Sequence, residues 1–253
     1  MIFKLFVLFL TPLISGLLIY LVPKGKSTNF KLLLVFAGSY LFAITVIHIL
    51  PELYTSHANF QFIGLFVLAG FFLQQLLEYF TSGIEHGHIH THDDHHHGHD
   101  HKKISAWVLL LALCIHAFLE GGMLAQPTSM GPVYDVNAIL LGIVLHRAPA
   151  AFALMTVLTF QLHSRKKAVP YLLGFSLAAP IGLLLSSFLA HREILSATGL
   201  IYLYALVSGN FLHISTTIVF ESSPEHKFNA RKMIVAIGGA LFAVIVQALI
   251  QKS

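Results

Sequence analysis

Apolar runs of membrane-spanning length recur along the whole chain, near residues 2–22, 30–50, 60–80, 104–125, 137–160, 168–190, 194–219 and 232–250. A helix needs roughly 20 mostly apolar residues to cross the hydrocarbon core of a bilayer. Turn or charge signals separate the runs: Pro23-Lys24-Gly25-Lys26, Pro51-Glu52, a His-rich tract, Pro127 to Pro132, His163 to Lys167, His191-Arg192-Glu193 and Pro224 to Lys232. Eight such runs use up the length, so the expected fold is an all-α membrane protein with eight transmembrane helices. Residues 1–253 then form a single transmembrane domain with the lipid bilayer as its partner.

Composition agrees. Only 10% of the 253 residues are charged and 56% are hydrophobic, with a mean hydropathy of +0.78. A soluble domain carries about 25% charged residues; this chain must turn its outer surface to lipid. The net charge of +4 reflects Lys and Arg in the connections and does not point to nucleic acid. Cys114 is the single cysteine, so no internal disulfide or redox pair exists. The first run, Met1 to Val22, is longer than a signal core and lacks a small-residue cleavage site before Pro23, so it is read as a span.

Basic residues favour the cytosolic side. Loops 1–2, 3–4, 5–6 and 7–8 hold Lys24, Lys26, Lys31, Lys102, Lys103, Arg165, Lys166, Lys167, Lys227, Arg231 and Lys232, against Lys4, Arg192 and Lys252 on the other side. Both termini are therefore expected outside, with the His-rich loop 81–103 in the cytosol. A prokaryotic inner membrane is the expected location. Span 2 ends in His48-Ile-Leu-Pro51-Glu52 and span 7 runs into Glu221-Ser-Ser-Pro224-Glu225. These ends fall on opposite faces, as inverted repeats require, or they coincide by chance.

Ionisable residues deep in a span mark functional sites by default. Here they are His116 and Glu120 in span 4, His146 and Arg147 in span 5, and His213 in span 7. His116 and Glu120 lie four apart and share one helix face. An imidazole nitrogen and a carboxylate oxygen one turn apart suit zinc; the bland alternative is a neutral histidine beside a paired acid. Gly121-Gly122 follow and either admit a close neighbour or loosen the helix. In span 5, Pro149 lacks an amide donor and clashes with the carbonyl of Leu145, which frees a polar group beside His146 or merely bends the helix. His213 either lines a pathway or bonds across helices. Ser208, Gly209 and Asn210 read as helix-contact residues, and Cys114 faces roughly away from His116.

His116-Ala-Phe118-Leu-Glu120-Gly121 in span 4, His146-Arg147-Ala148-Pro149-Ala150-Ala151 in span 5, the His-rich loop and the Pro-Glu ends together resemble the ZIP family of divalent metal transporters. The resemblance covers essentially the whole chain. It implies a 3+2+3 arrangement, with spans 4 and 5 between two inverted three-helix repeats. It further implies a metal site of His116, Glu120 and His146, an elevator-like or rocking alternation, and zinc (or Fe2+, Mn2+ or Cd2+) as cargo, with no cofactor. A homodimer is left open. Span 5 departs from the family pattern: Arg147 stands where a carboxylate usually follows the histidine, and Ala150 cannot coordinate, so one ion rather than two is expected.

An arginine at mid-membrane costs roughly 2.5–3.5 kcal/mol on insertion scales. Arg147 therefore needs a partner, and Glu120 is the obvious one. The guanidinium either shares Glu120 with one bound ion, closes on it as an ion pair that shuts the pathway, or points away. The second case gives a transport-inactive metal sensor or scaffold. An intramembrane hydrolase is disfavoured, because no His-Glu-x-x-His pair is present, and the chain is not expected to be an enzyme. Nine histidines, His86, His88, His90, His92, His95, His96, His97, His99 and His101, are interleaved with acids and glycines in the loop. Such a composition forms no packed core and reads as a flexible loop that collects or senses transition metals, or as a solvated linker with adventitious affinity.

Overall fold

A computed structural model describes residues 1–21, 31–81, 106–125, 136–221 and 230–250; the His-rich loop and the Pro224-Glu225 sequence lie outside the described residues. Nine helices and no strand occur among the described residues: α1 (Ile2–Leu17), α2 (Lys31–Ile44), α3 (Leu50–Thr55), α4 (Phe60–Thr81), α5 (Ala106–Gly122), α6 (Val136–Leu162), α7 (Arg165–His191), α8 (Ala197–Thr216) and α9 (Ala230–Ile250). Seven stretches are long and apolar enough to cross a membrane, with α2 and α3 making one of them, and α5 is a shorter apolar helix. At 1.5 Å per residue the 17 residues of α5 reach about 26 Å. The chain is an all-α membrane protein of about eight spans, as hydropathy requires.

Two expected boundaries move. Pro51-Glu52 does not end span 2. A π-helical turn, Thr45–Ile49, follows α2, and α3 then continues with Pro51 in its first turn. The π-turn runs straight into α3, the Leu50 amide bonding to the Thr45 carbonyl, and Pro51 falls where the hydrogen-bond register changes. Arg165-Lys166-Lys167 are not loop residues either. His163 takes a left-handed φ of 50°, Ser164 caps the amide of Lys167, and α7 starts at Arg165 directly. The hydroxyl cap supplies the start signal that the three cations would otherwise oppose.

The helices pack as two blocks. In one, α5 lies along α7, α1 along α6, and α7 touches both α1 and α6; in the other, α4 lies along α8, α2 along α9, and α2 touches α8. Exchanging spans 1–3 with 6–8 and span 4 with 5 maps the α5–α7 pair onto α1–α6 and the α4–α8 pair onto α2–α9, which is the pattern of an inverted repeat. The π-turn after α2 has a counterpart, Thr217–Glu221, after α8. The α5–α7 seam is backbone on backbone. A Cβ on Gly121 would sit 1.9 Å from the carbonyl oxygen of Ala179, and one on Gly182 2.0 Å from that of Phe118. Gly121 thus serves close approach, of the two roles open to it. Two tyrosine hydroxyls tie the blocks together: Tyr40 of α2 donates to the Ala138 carbonyl of α6 at 3.0 Å, and Tyr204 of α8 donates to that of Ala125, just past α5.

Candidate metal centre

The site grows out of helix periodicity. On α5, His116 and Glu120 are one turn apart, and the His116 Nε2 lies 3.1 Å from Glu120 Oε1. Glu120 is 0% exposed. A charge so placed is tolerated only where nearby groups compensate it. The compensating groups come from α6, whose helix continues through Pro149 and turns His146 and Arg147 inward, both buried. The ring centroids of His116 and His146 are 5.9 Å apart and nearly perpendicular. One ligand atom each from His116, Glu120 and His146 fall within 4.8 Å of one another.

In a tetrahedral zinc shell with bonds of about 2.0–2.2 Å, neighbouring ligand atoms stand roughly 3.3–3.6 Å apart. The His116–Glu120 edge is already close to that. The widest separation in the cluster would contract on an ion. Two neutral imidazoles and one carboxylate are ligands that zinc, iron and manganese all accept.

Arg147 takes neither of the extreme positions expected for it. Its Nη1 stands 3.9 Å from Glu120 Oε2, too far for the 2.7–2.9 Å of a charge-assisted hydrogen bond. Its Nη2 instead donates to the Phe175 carbonyl of α7 at 3.0 Å, and its Cζ lies 4.8 Å over the Phe175 ring. Glu120 therefore presents one oxygen to His116 and the other to Arg147, with the guanidinium anchored on the neighbouring helix. Phe175 is a partner that no sequence signal marks, because its share is a backbone carbonyl and a ring face 28 residues away.

The other intramembrane residues fall elsewhere. His213 of α8 is near Glu78 of α4, Nδ1 to Oε2 3.4 Å. His48 lies in the π-turn, 2.9 Å from Gln247 of α9 and 3.7 Å from Glu52. Ala150 is buried packing. Beside Pro149, the Ser15 hydroxyl of α1 donates to the Ala148 carbonyl. The nine loop histidines lie outside the described residues.

Fold and site define a polytopic helical membrane protein with a buried group of two imidazoles, one carboxylate and one guanidinium. The chain belongs to the ZIP family: the family model described as ZIP zinc transporter matches residues 1–105 and 85–247. It is 32% identical over 171 residues to zinc transporter ZIP9-A of Xenopus laevis, covering 64% of this chain and 54% of that protein. It is also 32% identical over 165 residues to zinc transporter ZIP9 of Micropogonias undulatus, covering 62% and 50%. To protein zntD of Dictyostelium discoideum it is 26% identical over 172 residues, covering 65% and 25%. The chain spans about half the length of the first two relatives, and all three organisms are eukaryotes.

Proposed function

We propose that this chain moves a divalent metal ion, zinc foremost, across the membrane into the cytosol through one site made by His116, Glu120 and His146. The observation that carries the reading is the burial of this cluster on α5 and α6, two helices of one block that border the other block at α4 and α2. A site so placed is exposed to either side when one block slides or rocks against the other, as in transporters built from inverted repeats. The count of eleven Lys and Arg against three supports both termini outside and residues 81–103 in the cytosol as a metal-collecting loop. A bacterial cytoplasmic membrane stays within this proposal, although the relatives named above are eukaryotic.

Arg147 acts here as a fixed countercharge. It neutralises part of Glu120 without occupying it, so one ion binds where the family pattern would admit two. A unit charge about 6 Å from a divalent ion is repelled by ~5 kcal/mol at an effective dielectric of 20. The anchor on Phe175 holds that repulsion at a fixed distance, favouring release as well as limiting occupancy. The competing reading, a transport-inactive sensor or scaffold closed by Arg147, requires a tight Arg147–Glu120 pair, and the 3.9 Å gap argues against it.

The test is radioactive zinc uptake by cells expressing the chain, with His116→Ala and Arg147→Glu at matched protein levels. Uptake by the parent that vanishes in His116→Ala is expected. No uptake by the parent but uptake by Arg147→Glu would overturn the reading in favour of the closed form.

A further inference from the structure

Arg147 carries donors that nothing around it uses. Its Nη2 is taken by the Phe175 carbonyl, but Nε and Nη1 have no hydrogen-bond partner among the described residues. The side chain is 2% exposed. A guanidinium only donates, and a buried donor left unpaired costs its full desolvation. Glu120 Oε2, 3.9 Å from Nη1, has no hydrogen bond either. Packing therefore keeps this acceptor and these donors apart.

The charge balance of the centre is the second observation. Among the described residues, Glu120 and Arg147 are the only buried side chains of the Asp, Glu, Lys and Arg types. Their opposite charges cancel, and imidazole binds metal in its neutral form. A divalent ion on His116, Glu120 and His146 would therefore leave two positive charges uncompensated in a buried place. Buried charge persists only when it is paired. Glu52 and Glu78 lie beside His48 and His213 instead. Three protein ligands also leave one position of a tetrahedral shell open. The centre thus lacks one ligand and one negative charge, and it holds spare cationic donors.

We propose that the centre binds its cation together with one small monovalent anion of halide size, which takes the fourth ligand position and accepts from Arg147. The inference rests on His116, Glu120 and His146 being a metal centre. The anion gives the guanidinium the acceptor that Glu120 withholds, and it removes half of the excess charge. Arg147 is then an anion ligand as well as a countercharge. Hydroxide is disfavoured, because a bound water would need a base to take its proton, and the bases at hand are themselves the metal ligands. A bulky oxyanion is disfavoured by packing, since α5 is pressed onto the α7 backbone at Gly121, the residue after Glu120.

The test is anomalous diffraction at the zinc and bromine edges, from crystals of the full chain grown with zinc and with bromide as the sole halide. In the parent, a zinc peak in the His116 cluster is expected, with a bromide peak bonded to it and within hydrogen-bond reach of Arg147. Arg147→Met should lose the bromide and keep the zinc. Zinc without bromide in the parent overturns the proposal and leaves the metal centre standing, with water as its fourth ligand. Bromide of equal occupancy in Arg147→Met also overturns it, because the metal then holds an adventitious ion only. Bromide at Arg147 with the cluster empty of zinc overturns the shared site and counts against the metal centre. Neither ion bound counts against both readings.

Discussion

Arg147 stops 3.9 Å short of Glu120 because its guanidinium is already held by the Phe175 carbonyl and ring on α7. The two residues therefore share a charge balance without closing on each other. With the proposed ion at Glu120, that relationship would couple metal occupancy to the stability of the fold.

Replacing the cation should expose the dependence. Arg147→Ala leaves Glu120 buried with less compensation, and removing one partner of a buried pair destabilises by about 3–5 kcal/mol. Zinc bound at the site should restore much of that loss. Thermal unfolding in detergent, with chelator and then with zinc, is expected to show a larger zinc-induced rise in Tm for Arg147→Ala than for the parent. Equal rises would mean that Arg147 and the ion do not share Glu120.

Glu120→Gln separates function from stability. Uptake should fall at least tenfold, and the protein should be destabilised because Arg147 loses its countercharge. Adding Arg147→Met should recover stability without recovering uptake. A double variant as unstable as Glu120→Gln alone would show that the pairing is not what holds α5 against α6.

The α5–α7 seam predicts a position-specific effect of added volume. Gly121→Ala and Gly182→Ala would each drive a methyl to about 2 Å from a backbone carbonyl, and forced spreading of packed elements costs about 1–3 kcal/mol. Gly174→Ala, whose nearest neighbour is a Leu110 methyl at 3.8 Å, should be neutral. Unfolding midpoints of the three variants check this.

Tyr40 and Tyr204 each donate across the two blocks, and a buried hydrogen bond contributes about 1 kcal/mol. The Tyr40→Phe/Tyr204→Phe variant should shift the balance between arrangements of the blocks roughly thirtyfold away from this one. Ile139, buried here at 2% exposure, reports the change: a cysteine there, in a Cys114→Ser background, should label faster with maleimide in the double variant. Unchanged labelling would show that the two hydroxyls do not hold the blocks.

Span number and the shared face of His116 and Glu120 were legible in the sequence. Both follow from one-dimensional rules: hydropathy over about 20 residues and side chains four apart on a helix. Helix ends were less legible. The π-turn carried α3 past Pro51, and the Ser164 cap drew three cations into α7.

Where Arg147 points was settled by tertiary structure, since neighbouring helical residues diverge by about 100° and the outcome depends on what faces them. Phe175 supplied a carbonyl and a ring face across an interhelical seam, groups that leave no mark in residue identity. The same holds for His213: its type was plain in span 7, but only the glycine-mediated approach of α8 to α4 brought it to Glu78. Sequence fixes which chemistry each helix carries; packing decides which groups meet, because the distances that matter lie between helices.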